Sequence, residues 1–367
     1  MTKRLKFPAK SVFFTTVRQR VDQYFRETGK KKHADARMWF KVAVFLTGFV
    51  GCYMLIISGY PSKGVLLLLA FLLGMCSAFV GFNVCHDALH GALSPRKDVN
   101  ALFGMVFNLL GASPYIWKIS HNGVHHTFTN IPGHDDDLVV APGLIRIEEN
   151  DPVTKIQRYQ HWYAFPLYGL ASLSWLFRKD FMKIFRTKIG QVAVKHPLKE
   201  YVNLFASKFL YCFLFIMLPL LVLNINWWQF VIGFLAMHLA QGLTMGLVFQ
   251  LAHVVEDTDF PVADSNGTME EAWAEHQMRT TANFSMYSPV ASFLLGGLNR
   301  QIEHHLFPGV CHVHYAKLGA IVKQTAKEYG LPYIENRTFL SAMRSHYRLL
   351  KKFSVQKSCP KILKQSA

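Results

Sequence analysis

The sequence predicts an all-α integral membrane protein with four transmembrane helices paired as two hairpins. Three observations carry that expectation: charge is scarce, its absence falls in blocks, and the blocks are flanked by basic residues. Hydrophobic residues make up 51% of the chain and aromatic ones 14%, whereas only 17% are charged, against about a quarter in soluble domains. A helix rises about 1.5 Å per residue, so about 20 apolar residues cross a hydrocarbon core. The longest uncharged stretches reach that length or double it.

Residues 1–38 form a basic, amphipathic region. Lys3, Arg4, Lys6, Lys10, Arg18, Arg20, Arg26, Lys30, Lys31, Lys32 and Arg37 stand there against Asp22, Glu27 and Asp35. No short apolar core with a small-residue cleavage site is present, so no signal peptide is expected. Val42 to Pro61 and Gly64 to Cys85 each lack charge and each make one span, giving a first hairpin over 39–85. A long polar loop follows over 86–204. Its apolar runs at 99–117 and 162–177 contain Pro114 and Pro166 and are expected as in-plane or re-entrant helices at the interface. Phe209 to Ala252 carries no formal charge and is long enough for two spans. Asn224-Ile225-Asn226, followed by Trp227-Trp228, marks the turn between them, so the second hairpin covers 205–253.

These elements are expected to form one membrane domain, 39–330, between the basic region 1–38 and a basic tail, 331–367. From Arg344 onward the chain carries Arg344, Arg348, Lys351, Lys352, Lys357, Lys361 and Lys364 and no acid. Four spans put both termini on one side, and their positive charge puts that side in the cytoplasm. The formal net charge of +17 lies in segments flanking spans, which suits anionic lipid headgroups and does not call for nucleic acid. Six cysteines without a C-x-x-C pair argue against a disulfide framework, an iron–sulfur motif or a zinc ribbon.

The chemistry is read from the histidines, of which there are 17. His86 and His90 sit in His-Asp-Ala-Leu-His, directly after the second span. Spacing of i, i+4 puts two imidazoles on one helical face, close enough to share a metal. His121, His125 and His126 form His-Asn-Gly-Val-His-His, in which 121 and 125 share a face and 126 points about 100° away. His304 and His305 follow in Gln301-Ile-Glu303-His-His. His253 stands alone where the fourth span meets the cytoplasm. The three clusters therefore face one side of the membrane. Imidazole suits zinc, copper, iron and nickel. One zinc ion takes three or four protein ligands, so eight histidines suit two metals rather than one.

The motifs His-x-x-x-His, His-x-x-x-His-His and Gln-Ile-Glu-His-His-Leu-Phe-Pro resemble the three histidine boxes of membrane fatty-acid desaturases, over residues from about 40 to 330. Gln301 in the third box resembles the front-end branch, which also includes sphingolipid desaturases and bacterial linoleoyl-CoA-desaturase-like proteins. The resemblance implies a cytoplasmic helical cap on the four spans, holding a non-haem di-iron centre. It implies His86, His90, His121, His125, His126, His304 and His305 as ligands, and His253 as the additional histidine at the end of the fourth span. Gln301 would ligate weakly or hold a metal-bound water. Asp87, Asn122 and Glu303, beside the ligands, are candidates for hydrogen bonds that set imidazole tautomers. The second box departs from many eukaryotic relatives, with three residues rather than two between its first histidines. Front-end desaturases often carry a fused cytochrome with His-Pro-Gly-Gly. That motif is absent from this sequence, so electrons are expected from a separate ferredoxin or cytochrome, which a basic face would steer if acidic.

The expected reaction uses O2 to introduce a cis double bond into a long fatty-acyl chain, linked to coenzyme A, a carrier protein or a lipid. The chain would lie in a tunnel lined from Phe71–Phe82 and Met237–Phe249, whose geometry sets the bond position. A hydroxylase on the same scaffold and a histidine-rich membrane metal transporter are the alternatives. Among the other histidines, His276 is a candidate support of the metal site, and His161, His196, His312 and His314 are expected at the surface. His238, inside a span, faces the tunnel or makes an interhelical hydrogen bond. Asp135-Asp136-Asp137 reads as a loop cap near the second box, and only loosely as a calcium-type cluster.

Overall fold

The computed structural model describes residues 5–8, 10–135, 137–138, 141–147 and 152–355. Lys3, Arg4, Asp136, Cys359 and the lysines beyond 355 lie outside the described residues. The chain is mostly helical. Ser11 caps α1 (Val12–Thr28) and Asp35 caps α2 (Ala36–Ile57), the latter accepting from the Met38 amide at 3.1 Å. Such caps satisfy amide groups that the first helical turn leaves unpaired. α3 (Lys63–Val80) runs on through a π-helical turn, Gly81–Cys85, into His86–Leu89. Next come α4 (Lys97–Met105), α5 (Pro114–Trp117) and α6 (Gln160–Tyr168). α7 (Leu198–Cys212) continues to Val222, and α8 (Trp227–His253) begins with a capping box of Asn226 and Gln229. Beyond it lie α9 (Trp273–Thr280), α10 (Gln301–Leu306), α11 (Tyr315–Glu328) and α12 (Phe339–Val355).

Among the described residues, four helical stretches are long and apolar enough to cross a membrane: Ala36–Ile57, Lys63–Leu89, Leu198–Val222 and Trp227–His253. They coincide with the four spans read from the uncharged blocks. Their outer faces expose Leu67, Leu68 and Phe71 on α3 and Phe209, Leu210 and Phe213 on or beside α7, the surface that hydrocarbon would cover. Their inner faces bury Val42, Phe45, Phe49, Leu73, Val80, Phe215 and Met237 in one apolar cluster. α3 and α8 come so close that a Cβ on Gly74 would sit 2.0 Å from the Met237 carbonyl oxygen, so only glycine fits there.

The run containing Pro114 is sharply bent: Lys97–Leu110 and Pro114–Phe128 meet at 109°. The bend is local chemistry. Gly111 takes φ +86°, Ser113 caps α5 and Pro114 starts it, as a stop followed by a fresh start requires. A buried ion pair then ties the bend to α7: Lys208 Nζ lies 2.7 Å from Asp180 Oδ2 and donates to the Gly111 carbonyl at 2.8 Å. The same Asp180 oxygen accepts from the Ser113 amide at 2.8 Å. His238 is likewise satisfied between elements, 3.0 Å from Ser172 Oγ and 3.2 Å from the Tyr211 hydroxyl.

The region following the spans is held by α12, whose Leu350 packs with Ala164 and Tyr168 while Leu349 and Phe353 pack with Val254. His161, His312 and His314 are buried, contrary to the surface positions expected of them. A polar residue between apolar stretches is buried when partners are waiting, and for His312 these are Asp87 and Lys41.

Truncating one member of a buried ion pair strands the other charge, at a cost of about 3–5 kcal/mol. Lys208→Ala is therefore expected to lower thermal stability in detergent sharply. The Lys208→Met, Asp180→Asn double variant should recover much of the loss, which differential scanning fluorimetry would read; equal stability of single variant and wild type contradicts the clamp.

Candidate metal centre

Four elements deliver the imidazoles. His86 and His90 lie where α3 leaves its π-helical turn, and His121 and His125 lie in a second π-helical stretch, Lys118–His125. A π-turn takes one residue more than an α-turn. The extra residue of the second box thus sits in a widened turn, and His121 and His125 still stack at 5.0 Å between ring centroids. His253 ends α8, and His304 and His305 occupy α10.

The rings assemble into two groups. His86, His90, His121 and His304 offer ligand atoms within 4.8 Å of one another, and so do His125, His253 and His305. His126 lies between them, its ring centroid 4.6 Å from His304 and 4.3 Å from His305, and its Nε2 3.2 Å from His121 Nε2. Except for His90, which is partly covered, all eight side chains are buried.

Orientation comes from the far side of each ring. A carboxylate, carbonyl or amide oxygen only accepts, so the imidazole nitrogen facing it carries the proton. His125 Nδ1 donates to Asp135 Oδ2 at 2.8 Å, His305 Nδ1 to Gln277 Oε1 at 2.8 Å and His253 Nδ1 to the Thr280 carbonyl at 3.4 Å. His304 Nδ1 meets the Tyr315 hydroxyl at 3.2 Å, and His121 Nδ1 lies 3.5 Å from Asp137. Their Nε2 lone pairs consequently point inward. Nε2 of His86, His90, His125 and His304 is buried with no hydrogen-bond partner among the described residues. An unsatisfied buried polar atom costs about 1–3 kcal/mol, and several aimed at two points are the donor set that divalent cations satisfy. The residues therefore fit two metal ions.

Burial also keeps the rings in the form a metal needs. It pushes His121 down to about 3 and holds His90, His126, His304 and His305 well below the ordinary range, so all are neutral at pH 7. At His125 the same burial is outweighed by the Asp135 carboxylate, and the net shift is upward. A third group, Asp87, Cys311 and His312, also converges, but Lys41 Nζ is 2.8 Å from His312 Nε2, and an ammonium there takes the place a cation would need.

The neighbours of the ligands differ from those expected. Asn122 donates to the Leu89 carbonyl at 3.1 Å, and Glu303 accepts from Asn283 at 2.9 Å and Tyr333 at 2.7 Å. Asp87 bonds His312 and stays 3.9 Å from His86. Residues adjacent in a helical sequence point about 100° apart, so a ligand's chain neighbour faces away from it. The groups that hold the rings instead come from afar: Asp135, Asp137, Gln277 and Tyr315. The acidic run after the second box was the one available signal. Near His276 it is Gln277 that reaches a ligand, whereas His276 Nε2 bonds the Thr129 carbonyl at 2.8 Å.

An apolar cavity leads to the centre. Ala78, Phe82, Phe107, Trp175 and Met245 line it, together with His86, His121 and Gln301. Gln301 places Nε2 at 2.9 Å from His253 Nε2 and 3.3 Å from His305 Nε2.

Four apolar helices, two of which end at a double histidine shell beside an apolar cavity, define a class of membrane protein suited to long apolar molecules. The family model for fatty acid desaturases matches residues 62–337. The chain is 36% identical, over 93% of its length, to the acyl-lipid (8-3)-desaturase of Physcomitrium patens, covering 71% of that protein. It is 33% identical, over 95% of its length, to the sn-1 linoleoyl-lipid 6-desaturase of Synechocystis, covering 97%. It is 30% identical, over 95%, to the Delta(5) fatty acid desaturase A of Dictyostelium discoideum, covering 76%. The chain belongs to the fatty acid desaturase family and is an oxidoreductase.

Two outcomes follow from these surroundings. Gln277→Leu removes the acceptor that fixes His305 and is expected to weaken metal affinity about 10–100-fold with the helical content unchanged, as competition with a chelator would measure; unaltered affinity contradicts the anchoring role. Burial lowers His276 and His346, both outside the spans, to about 4. Unfolded histidines titrate near 6.5, so the unfolded chain binds more protons below that pH. Stability is thus complete above about 6.5 and is lost as pH falls towards 4, by up to about 3 kcal/mol for each group. A melting temperature at pH 5 equal to that at pH 7.5 would contradict this.

Proposed function

We propose that the protein is an O2-dependent fatty-acyl desaturase of the front-end type that forms a cis double bond at a pair of irons. The observation that carries this reading is the juxtaposition of two buried imidazole groups with an apolar cavity whose lining includes His86 and His121. His86, His90, His121 and His304 would hold one iron and His125, His253 and His305 the other, with His126 between them. Iron reduced by an outside carrier supplies the O2 chemistry needed to take hydrogen from an unactivated C–H bond.

The chain's own residues do the positioning. Phe82, Phe107, Trp175 and Met245 enclose the acyl chain and exclude water, and Gln301 offers its amide beside the second group. The reach of the cavity past His86 and His121 determines which carbons lie beside the metals, a matter of proximity. Asp87, Asn122 and Glu303 brace the helices that bear ligands. The relatives' names specify an acyl lipid and an sn-1 linoleoyl lipid, which favours a lipid-linked chain over coenzyme A or carrier-protein esters. The two hairpins would carry the metal-bearing region as a cap on the cytoplasmic side, with both termini there, in the divisions 1–38, 39–330 and 331–367. Electrons would come from a separate ferredoxin or cytochrome.

Expression in a host of known fatty-acid content should yield a new double bond near the carboxyl end, seen by mass spectrometry as the loss of two hydrogens. His125→Ala should lower the product more than about 100-fold, since even supporting residues are worth 10–100-fold, and should lower bound iron. Full desaturation by that variant, or gain of an oxygen atom instead, would overturn the assignment.

A further inference from the structure

A second approach to the histidine shell lies on a side that the acyl cavity does not use. Asp87 Oδ1 is 3.9 Å from His86 Nδ1, and Asp87 Oδ2 accepts from the backbone amide of His312 at 3.2 Å and from its Nδ1 at 3.0 Å. His312 Nε2 in turn lies 2.8 Å from Lys41 Nζ. Lys41 and His312 line an open cleft of about 800 Å³, whose walls include Arg37, Phe40, Phe293 and Arg300. Neither residue lines the acyl cavity, which meets the shell at His86, His121 and Gln301.

The cleft is basic. Arg37 is exposed at its edge, and Lys317 is exposed next to the lining residue Ala316. Lys30, Lys31 and Lys32 are exposed and close by, because the Lys32 carbonyl accepts from the Cys311 amide at 2.8 Å. Asp22 pairs with Lys32 and Asp35 with Arg37, and Glu303 is buried with Asn283 and Tyr333, so Lys30, Lys31 and Lys317 supply the basic excess.

We propose that this cleft docks an acidic one-electron carrier protein, and that its electrons reach the centre through His312, Asp87 and His86. The inference rests on the desaturase reading. Each turnover takes two electrons from two carriers and two protons from water. With the two hydrogens lost by the acyl chain these reduce one O2 to two waters, and a C=C bond replaces a C–C bond. While the acyl chain fills its cavity the electrons need another way in, and this route has two hydrogen-bonded steps, Lys41 to His312 and His312 to Asp87, followed by one of 3.9 Å from Asp87 to His86. Opposite charge at the rim speeds encounter and makes it depend on salt.

The test uses the iron-loaded full chain in nanodiscs without air. Photoreduced [2Fe–2S] ferredoxin or a reduced soluble b-type cytochrome is the protein donor, and reduced methyl viologen is the small donor. Wild type should be reduced by at least one carrier, more slowly as salt rises. The double variant Arg37→Glu, Lys317→Glu should be reduced by the carrier at least tenfold more slowly, with its viologen rate and iron content unchanged. His312→Gln, which keeps a donor to Asp87, should retain more of the carrier rate than His312→Leu, while both bind the carrier as wild type does. Carrier rates insensitive to the rim charges, reduction by neither carrier, or loss only of binding to anionic vesicles would each overturn the proposal. If viologen-reduced protein given O2 forms no unsaturated product, the desaturase reading fails instead.

Discussion

The structure depends on packing eight imidazoles together, with burial favouring the neutral form of His90, His121, His126, His304 and His305. Packed this closely, charged rings would repel one another, and burial already disfavours the charged form. Neutrality alone leaves each ring free to present either nitrogen. The acceptors behind the rings remove that freedom: Asp135 behind His125, Gln277 behind His305 and the Thr280 carbonyl behind His253 each require the proton on Nδ1. What remains at His86, His90, His125 and His304 is a set of buried Nε2 atoms with no hydrogen-bond partner among the described residues, while Gln301 stands beside Nε2 of His253 and His305. The surrounding protein supplies the acceptors and tolerates the unsatisfied nitrogens, as sites built for metals do.

Rigid placement of those rings comes from helix geometry. Two of the π-helical stretches sit at histidine boxes, one directly before His86 and the other spanning His121 to His125. A wide turn re-aims side chains without ending the helix. The re-entrant bend at Gly111 places the second box against the first, and the Lys208–Asp180 pair holds that bend from α7. A charge pair so far from water is costly to maintain unless each lone pair and proton is used. Here Asp180 also takes the Ser113 amide and Lys208 the Gly111 carbonyl, so the pair specifies a backbone path as well as joining two segments.

The same shell is reached along two chemically different approaches. One is apolar, walled by aromatic and small side chains, and suits a hydrocarbon. The other is polar and basic, passing through Lys41, His312 and Asp87. Separating them lets the hydrocarbon side stay dry while the other face stays polar, and low dielectric beside the histidines strengthens every interaction there.

The sequence by itself determined the spans and two of the histidine pairs. Runs free of charge as long as a bilayer is thick leave few other structures open. Histidines four apart on helices share a face whatever surrounds them, so His86 with His90 and His121 with His125 could be paired from local periodicity. Tertiary structure alone decided what stands behind those residues. Asn122 and Glu303 are neighbours of ligands in the chain and turn away from them in space, because a helix rotates each residue by about 100°. Gln277 and Tyr315 reach His305 and His304 from 28 and 11 residues away. The burial of His312 beside Asp87, 225 residues distant, likewise carries no local signature. Contacts of that range arise from how separate helices pack, and no spacing rule within one helix encodes them.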